Sequence, residues 1–200
     1  MNLTDIGYAS RMSELKTSDI REILKITQRP EVISFAGGLP ASELFPTADL
    51  AELARDLLLS DGAKALQYAP TEGLAVLRQL IADRLQGRFD LERNAEEVLV
   101  VSGSQQALDL TGKIFLDDGD VVLCESPTYL GAINALQAYR PEFVEVPTDD
   151  DGMVPEELER RLEGPGRVKF IYVVPDFQNP SGRRWSTQRR RSLAEIASRY

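Results

Sequence analysis

The chain has 200 residues, 42% of them hydrophobic and 28% charged, enough for one good core in one domain or slightly more. A formal net charge of −9 argues against a nucleic-acid footprint, which needs a basic face, and no apolar run reaches membrane-spanning length. There is no histidine and Cys124 is the only cysteine, which excludes within this chain Ser-His-Asp and Cys-His catalysis, histidine metal sites, a disulfide framework and a cysteine zinc site.

Met1 to Asp5 offer neither a basic n-region nor an apolar h-region, so no signal peptide is expected and a reducing cytoplasm is the expected setting. Residues 1–17 lack a clear period and read as an arm. Ser18 caps a predicted helix to about Gln28, with Ile20, Ile23, Leu24 and Thr27 on one face and Pro30 beyond its end. Val32 to Ala36 is a short extended run, broken by Gly37-Gly38-Leu39-Pro40. Leu50, Leu53, Leu57 and Leu58 form one apolar stripe at helical spacing, and Leu74, Leu77, Ile81 and Leu85 form a second.

From there the chain alternates. Val98 to Val101 reads as a buried strand, and a helix is predicted from about Gln105 to Phe115. Val121 to Cys124 is the next strand, with Cys124 as a buried inert thiol, and a helix follows from about Tyr129 to Ala138. Phe143 to Val146 is a further strand. Pro155 opens a short helix with Glu156 and Glu157 in its first turn, where the helix dipole favours acids. Val168 to Val174 is the longest apolar run and the best strand. Ser186 or Thr187 caps a last helix carrying Leu193, Ile196, Ala197 and Tyr200 on one face. The basic cluster Arg183, Arg184 and Arg189 to Arg191 reads as a solvated helix face rather than a phosphate patch.

Strands alternating with helices predict an α/β fold with a mainly parallel sheet, and apolar runs without alternation predict strands covered on both faces. Ligands in such sheets bind beyond the carboxyl ends of the strands. Three segments sit there. Ser102-Gly103-Ser104-Gln105-Gln106-Ala107 follows a strand and opens a helix, where free N–H groups, the dipole and the Ser104 hydroxyl favour a phosphate. It is neither a Walker loop nor a dinucleotide fingerprint, and an ordinary capped turn is its plain alternative. In Glu125-Ser126-Pro127-Thr128-Tyr129 the tyrosine can lay its ring over an aromatic ligand; the plain alternative is a core or rim tyrosine. In Val174 to Gly182, Asn179 is held between a strand end and Pro180, although Asn-Pro and Ser-Gly are also turn signals. Together they supply a phosphate cradle, an aromatic face and a fixed polar donor, a set suited to a flat phosphorylated heterocycle.

Five segments span almost the whole chain: Ser18-Asp19-Ile20-Arg21-Glu22-Ile23-Leu24, Ile33 to Pro40, Gln67-Tyr68-Ala69-Pro70-Thr71-Glu72-Gly73, Gly103 to Asp109, and Phe177-Gln178-Asn179-Pro180-Ser181-Gly182. In these the chain resembles the class I/II aminotransferases that use pyridoxal 5'-phosphate (PLP), and it looks closest to the 2-aminoadipate and kynurenine aminotransferase branch. The resemblance implies PLP-dependent transferase fold type I, with an arm and substrate-covering helix over residues 1–45 and the first part of the PLP-binding large domain over residues 46–200, its mainly parallel sheet sandwiched by helices and incomplete.

It also implies roles. Ser104 and Gln105 would bind the cofactor phosphate, Tyr129 would stack on the pyridine ring, and Asn179 would hydrogen-bond its phenolic oxygen. Tyr68 would reach the phosphate of a neighbouring subunit, which makes a homodimer necessary. Gly38, Arg21 and Asn179 would face the substrate, with Arg21 either pairing with a distal carboxylate or remaining a solvated arginine. The Ser126–Pro127 and Asn179–Pro180 bonds are expected to be cis. The family's Schiff-base lysine is expected beyond Tyr200, as are the aspartate beside the pyridine nitrogen and the arginine that grips the α-carboxylate. None of Lys16, Lys25, Lys64, Lys113 and Lys169 stands in the lysine's context. The implied reaction moves an amino group between an L-amino acid and a 2-oxo acid such as 2-oxoglutarate, the donor being 2-aminoadipate-like, glutamate, aromatic or branched-chain. A PLP lyase or decarboxylase, or a regulator domain of the same fold, are the alternatives.

Overall fold

The computed structural model describes residues 7, 9–14, 31–33 and 40–200. The helix expected at Ser18–Gln28 and most of the run Val32–Ala36 lie outside these residues. Two compact units divide the chain, one of residues 17–101 and one of residues 1–16 with 102–200.

In the first unit, helix α1 (Thr47–Ala65) opens after Pro46, carries Asp49 in its first turn and Lys64 in its last, and is interrupted at Asp61. Helix α2 (Ala75–Phe89) ends on Asp90 in the left-handed region at φ 51°. The two leucine stripes fall on these helices, Leu74 at the N-cap of α2; the first is uncovered, and in the second Leu74 and Leu77 are exposed while Ile81 and Leu85 are half-buried. Leu50, Leu53, Leu57 and Leu58 are all more than half exposed, and Ala82 is the one buried residue of α2. A short 3₁₀ turn, Ala95–Glu97, follows, held by a capping box between Asn94 and Glu97.

Val98 to Val101, expected as a buried strand, is not one. Val100 donates its N–H to the Glu72 carbonyl at 2.9 Å, and the segment has no ladder partner among the described residues. Leu99 is 53% exposed. A β-favouring run becomes a strand only when a neighbour pairs with it.

The second unit holds the sheet. Its elements in order are α3 (Ser104–Phe115), β1 (Val121–Ser126), α4 (Leu130–Leu136), β2 (Glu142–Asp149), β3 (Gly152–Met153), α5 (Pro155–Leu162), β4 (Val168–Tyr172) and α6 (Thr187–Ala197). Strand order is β3-β2-β1-β4. β1 pairs in parallel with β2 and with β4, and β3 turns back antiparallel on β2. This is an α/β fold with a mixed, mostly parallel sheet.

β1 is buried on both faces. Val121 and Leu123 join Val146, Met153, Leu158 of α5, Trp185 and Ile196 of α6 in one cluster. Val122 points the other way, into a cluster with Leu116 and Leu136. Hence α5 and α6 cover one face, while the ends of α3 and α4 cover the other. The alternation of side-chain direction along a strand explains how consecutive apolar residues serve two cores.

Two expectations need correcting in this unit. β4 stops at Tyr172 rather than Val174, because the Val174 N–H leaves the ladder and donates to the Glu125 carboxylate at 2.8 Å. The arginine cluster is not a solvated face. Arg189, 14% exposed at its side chain, pairs with Asp149 and donates to the carbonyls of Gly152 and Met153. Arg190 and Arg184 both pair with Asp176, and Arg183 with Asp150. Most of the cluster therefore ties α6 and the segment before it to the sheet. Ser186 does cap α6, accepting the Arg189 N–H at 3.1 Å.

Candidate active site

The carboxyl ends of β1 and β4 open beside the start of α3. Gly103, at φ 85°, turns the chain into that helix, and the N-cap has no side-chain hydrogen bond. The first bond of the helix runs from Ala107 N–H to the Gly103 carbonyl, so the amides of Ser104, Gln105 and Gln106 project from its end. These amides, with the positive end of the dipole, favour an anion. The Gln105 side chain is turned away, donating to the Gly131 carbonyl at 3.2 Å, so any part it plays in anion binding is through its backbone.

A cavity of about 490 Å³ lies in front of this helix end. Its size is that of an ordinary small-molecule pocket. α3 contributes Ser104, Ala107, Leu108 and Thr111; the β4 end contributes Tyr172 and Val174; Tyr129 and Asn179 complete the lining. Ser104 and Asn179 are exposed at the rim, and the apolar and aromatic groups between them are half-buried. The three segments singled out in the sequence thus contribute to one cavity, two of them following β1 and β4 and the one at Ser104 following a run that is not a strand.

Each rim group is fixed by its own local structure. Tyr129 stands at the N-cap of α4, and a Cβ on Gly131 would overlap its ring, so the bare backbone at Gly131 lets the ring lie close to the helix. The Ser126–Pro127 and Asn179–Pro180 bonds that flank the site are both cis. Behind the cavity, Glu125 is 1% exposed; it accepts the Val174 N–H at 2.8 Å and the Trp185 indole N–H at 3.0 Å. Burial pushes its carboxyl above the usual range, and those two hydrogen bonds pull it back. Burial, with Tyr129 and Glu125 nearby, also pushes the Tyr172 phenol up.

Three further residues were singled out in the sequence. Tyr68 belongs to the unit of residues 17–101 and is 99% exposed. Arg21 and Gly38 lie outside the described residues. Thr111 and Tyr172 were not singled out, although Tyr172 sits at a strand end, where such sheets take their ligands; Val174 was the first residue of the Asn179 segment but was given no role. Gln178, buried next to Asn179, was part of that residue's segment but was given no role of its own.

The family model for aminotransferase class I and II matches residues 30–200. The chain belongs to that family. Aromatic-amino-acid aminotransferase 1 of Thermococcus litoralis is 43% identical over 197 residues, covering 96% of this chain and 47% of that protein. The 2-aminoadipate transaminase of Thermus thermophilus is 48% identical over 176 residues, covering 88% of this chain and 43% of that one. Among solved structures, the kynurenine aminotransferase of Pyrococcus horikoshii in complex with PMP superposes with a TM-score of 0.90 at 38% identity, covering 96% of this chain and 48% of that one. The chain therefore spans a little under half the length of these relatives. No helix among its described residues is long and apolar enough to cross a membrane.

Proposed function

We propose that the cavity binds PLP, and that the whole protein moves an amino group between an L-amino acid and a 2-oxo acid such as 2-oxoglutarate. The observation that carries this reading is that Ser104, Tyr129 and Asn179, from three separate segments of the chain, line one cavity. A flat ring bearing a phosphate fits such a lining. The phosphate would take the projecting amides of Ser104 and Gln105 and the Ser104 hydroxyl. The ring would stack on Tyr129 and meet the apolar floor of Ala107, Leu108 and Val174, with the Asn179 amide donating to its phenolic oxygen. When bound, the cofactor supplies the electron sink for removal of the amino acid's Cα proton.

This chain's residues hold and orient that group; the lining offers no lysine to move the proton. Tyr68 reaches the phosphate of a second subunit in a homodimer, and Gly38 and Arg21 face the substrate, Arg21 meeting a distal carboxylate. The similarity to aromatic and 2-aminoadipate aminotransferases supports a donor from those classes, with glutamate and branched-chain amino acids as further candidates.

Pyridoxamine 5'-phosphate (PMP), which needs no lysine, tests the site in the chain itself. Titration should show saturable binding that weakens in Ser104→Ala, Tyr129→Leu and Asn179→Ala. Binding unaffected by all three would overturn the assignment. The chain alone, mixed with amino acid and 2-oxoglutarate, should give no rate above buffer.

A further inference from the structure

Tyr129 and Asn179 are 50 positions apart in sequence, yet the proposed site needs a fixed gap between them. The residue between their two loops is Gln178. Its side chain is 3% exposed. Nε2 donates to the Pro127 carbonyl at 2.7 Å, two residues before Tyr129. Oε1 accepts the Ser181 N–H at 2.7 Å, on the far side of Asn179. Both ends of the amide are used, so a flipped amide would face donor with donor and acceptor with acceptor.

The backbone around Gln178 is also held. Its N–H donates to the Arg183 carbonyl at 2.8 Å, and its carbonyl accepts the Gly182 N–H at 2.5 Å. The preceding residue, Phe177, takes a left-handed φ of 50° and leaves its ring 74% exposed. A non-glycine residue stays in that region only where its surroundings hold it. Another tie between these segments lies farther back, where the Val174 N–H donates to Glu125.

We propose that Gln178 is a positioning residue: by bridging Pro127 and Ser181 it sets the spacing between the ring of Tyr129 and the amide of Asn179. The proposal rests on the reading of the cavity as a site for a planar phosphorylated ring. It assigns Gln178 no contact with that ring. The ring is sensitive to the gap because it must meet both side chains, whereas a bare phosphate meets only the start of α3.

The test compares two ligands on the 200-residue chain, PMP and inorganic phosphate, by calorimetry or competition. Gln178→Glu keeps the shape and the acceptor for Ser181 but removes the donor to Pro127. Gln178→Met removes both bonds without adding charge and serves if the first variant does not fold, with folding checked by near-ultraviolet circular dichroism. PMP binding should weaken by at least about tenfold, the factor carried by one buried hydrogen bond. Phosphate binding should stay within about twofold of wild type, because the Gln178 side chain bonds to Pro127 and Ser181 and not to the start of α3. Parallel loss of both ligands would make Gln178 a structural tie only, and unchanged PMP binding would also overturn its positioning role. Wild-type chain that takes up no PMP would remove the reading of the cavity, and this proposal with it.

Discussion

Glu125 accepts the indole N–H of Trp185 at 3.0 Å, and both side chains are buried. The other carboxylate oxygen accepts the N–H of Val174, a residue that lines the cavity. The pair thus joins the end of β1 to the segment beyond β4 and to the stretch of chain just before α6. A buried carboxylate left without its partners is costly, so this bridge should be one of the least replaceable contacts of the unit.

Trp185→Phe keeps much of the ring's apolar contact and removes the donor. It should destabilise the chain by about 1.5–3 kcal/mol, the range for a hydrogen bond to a charged group. Urea unfolding followed by far-ultraviolet circular dichroism would measure this. A change within about 0.5 kcal/mol, typical of surface positions, would mean that the bridge contributes little.

Gly152 opens β3 at φ 105°, and a Cβ there would overlap the Trp185 indole. Gly152→Ala combines backbone strain with displacement of that ring, and it should cost at least about 2 kcal/mol. Because Trp185 is the only tryptophan, its emission would report the displacement directly. An unchanged spectrum and stability would refute the close packing.

Burial, with Glu145 and Glu125 nearby, pushes the Cys124 thiol up to about 11 from an ordinary 9.0. The folded state therefore holds the proton more tightly than the unfolded chain. Its contribution is fully present below about pH 9 and is lost as pH rises towards about 11. Stability measured across that window should fall more steeply for wild type than for Cys124→Ala. Equal slopes would contradict the shift. The native chain should also resist alkylation at about pH 8, while the denatured chain reacts.

In acid the sign reverses. Arg167 holds Asp120 below the usual carboxylate range, Arg189 does the same for Asp149, and Arg190 for Asp176. Such groups stabilise the fold above the ordinary value of 3.8 and lose that contribution as pH falls through their depressed values. Arg167→Met should be less stable than wild type near neutrality, and the two stabilities should converge as pH drops below 3.8. A difference independent of pH would show that Arg167 does not act through Asp120.

Much of the second unit was legible in the sequence because its signals are local. Consecutive apolar residues marked β1, Pro155 with two following acids marked the start of α5, and Ser186 marked the cap of α6. The junctions at Ser104, Tyr129 and Asn179 could be singled out because ligands in this architecture gather at strand ends. Contacts between distant residues were not legible. Trp185 meets Glu125 across 60 positions and Gln178 meets Pro127 across 51, and neither distance leaves a periodic trace. Val98 to Val101 has the composition of a strand, but composition does not supply a pairing neighbour. The arginine run looked solvated because the aspartates that hold it, among them Asp149 and Asp176, lie on other elements.

The central claim is spatial and chemical at once, and a crystal structure of the chain with PMP tests it most directly. The account predicts the phosphate against the first amides of α3 and the Ser104 hydroxyl, the pyridine ring on Tyr129, and the Asn179 amide at the ring's phenolic oxygen. PMP bound elsewhere, or bound in this cavity without meeting those three residues, would contradict it.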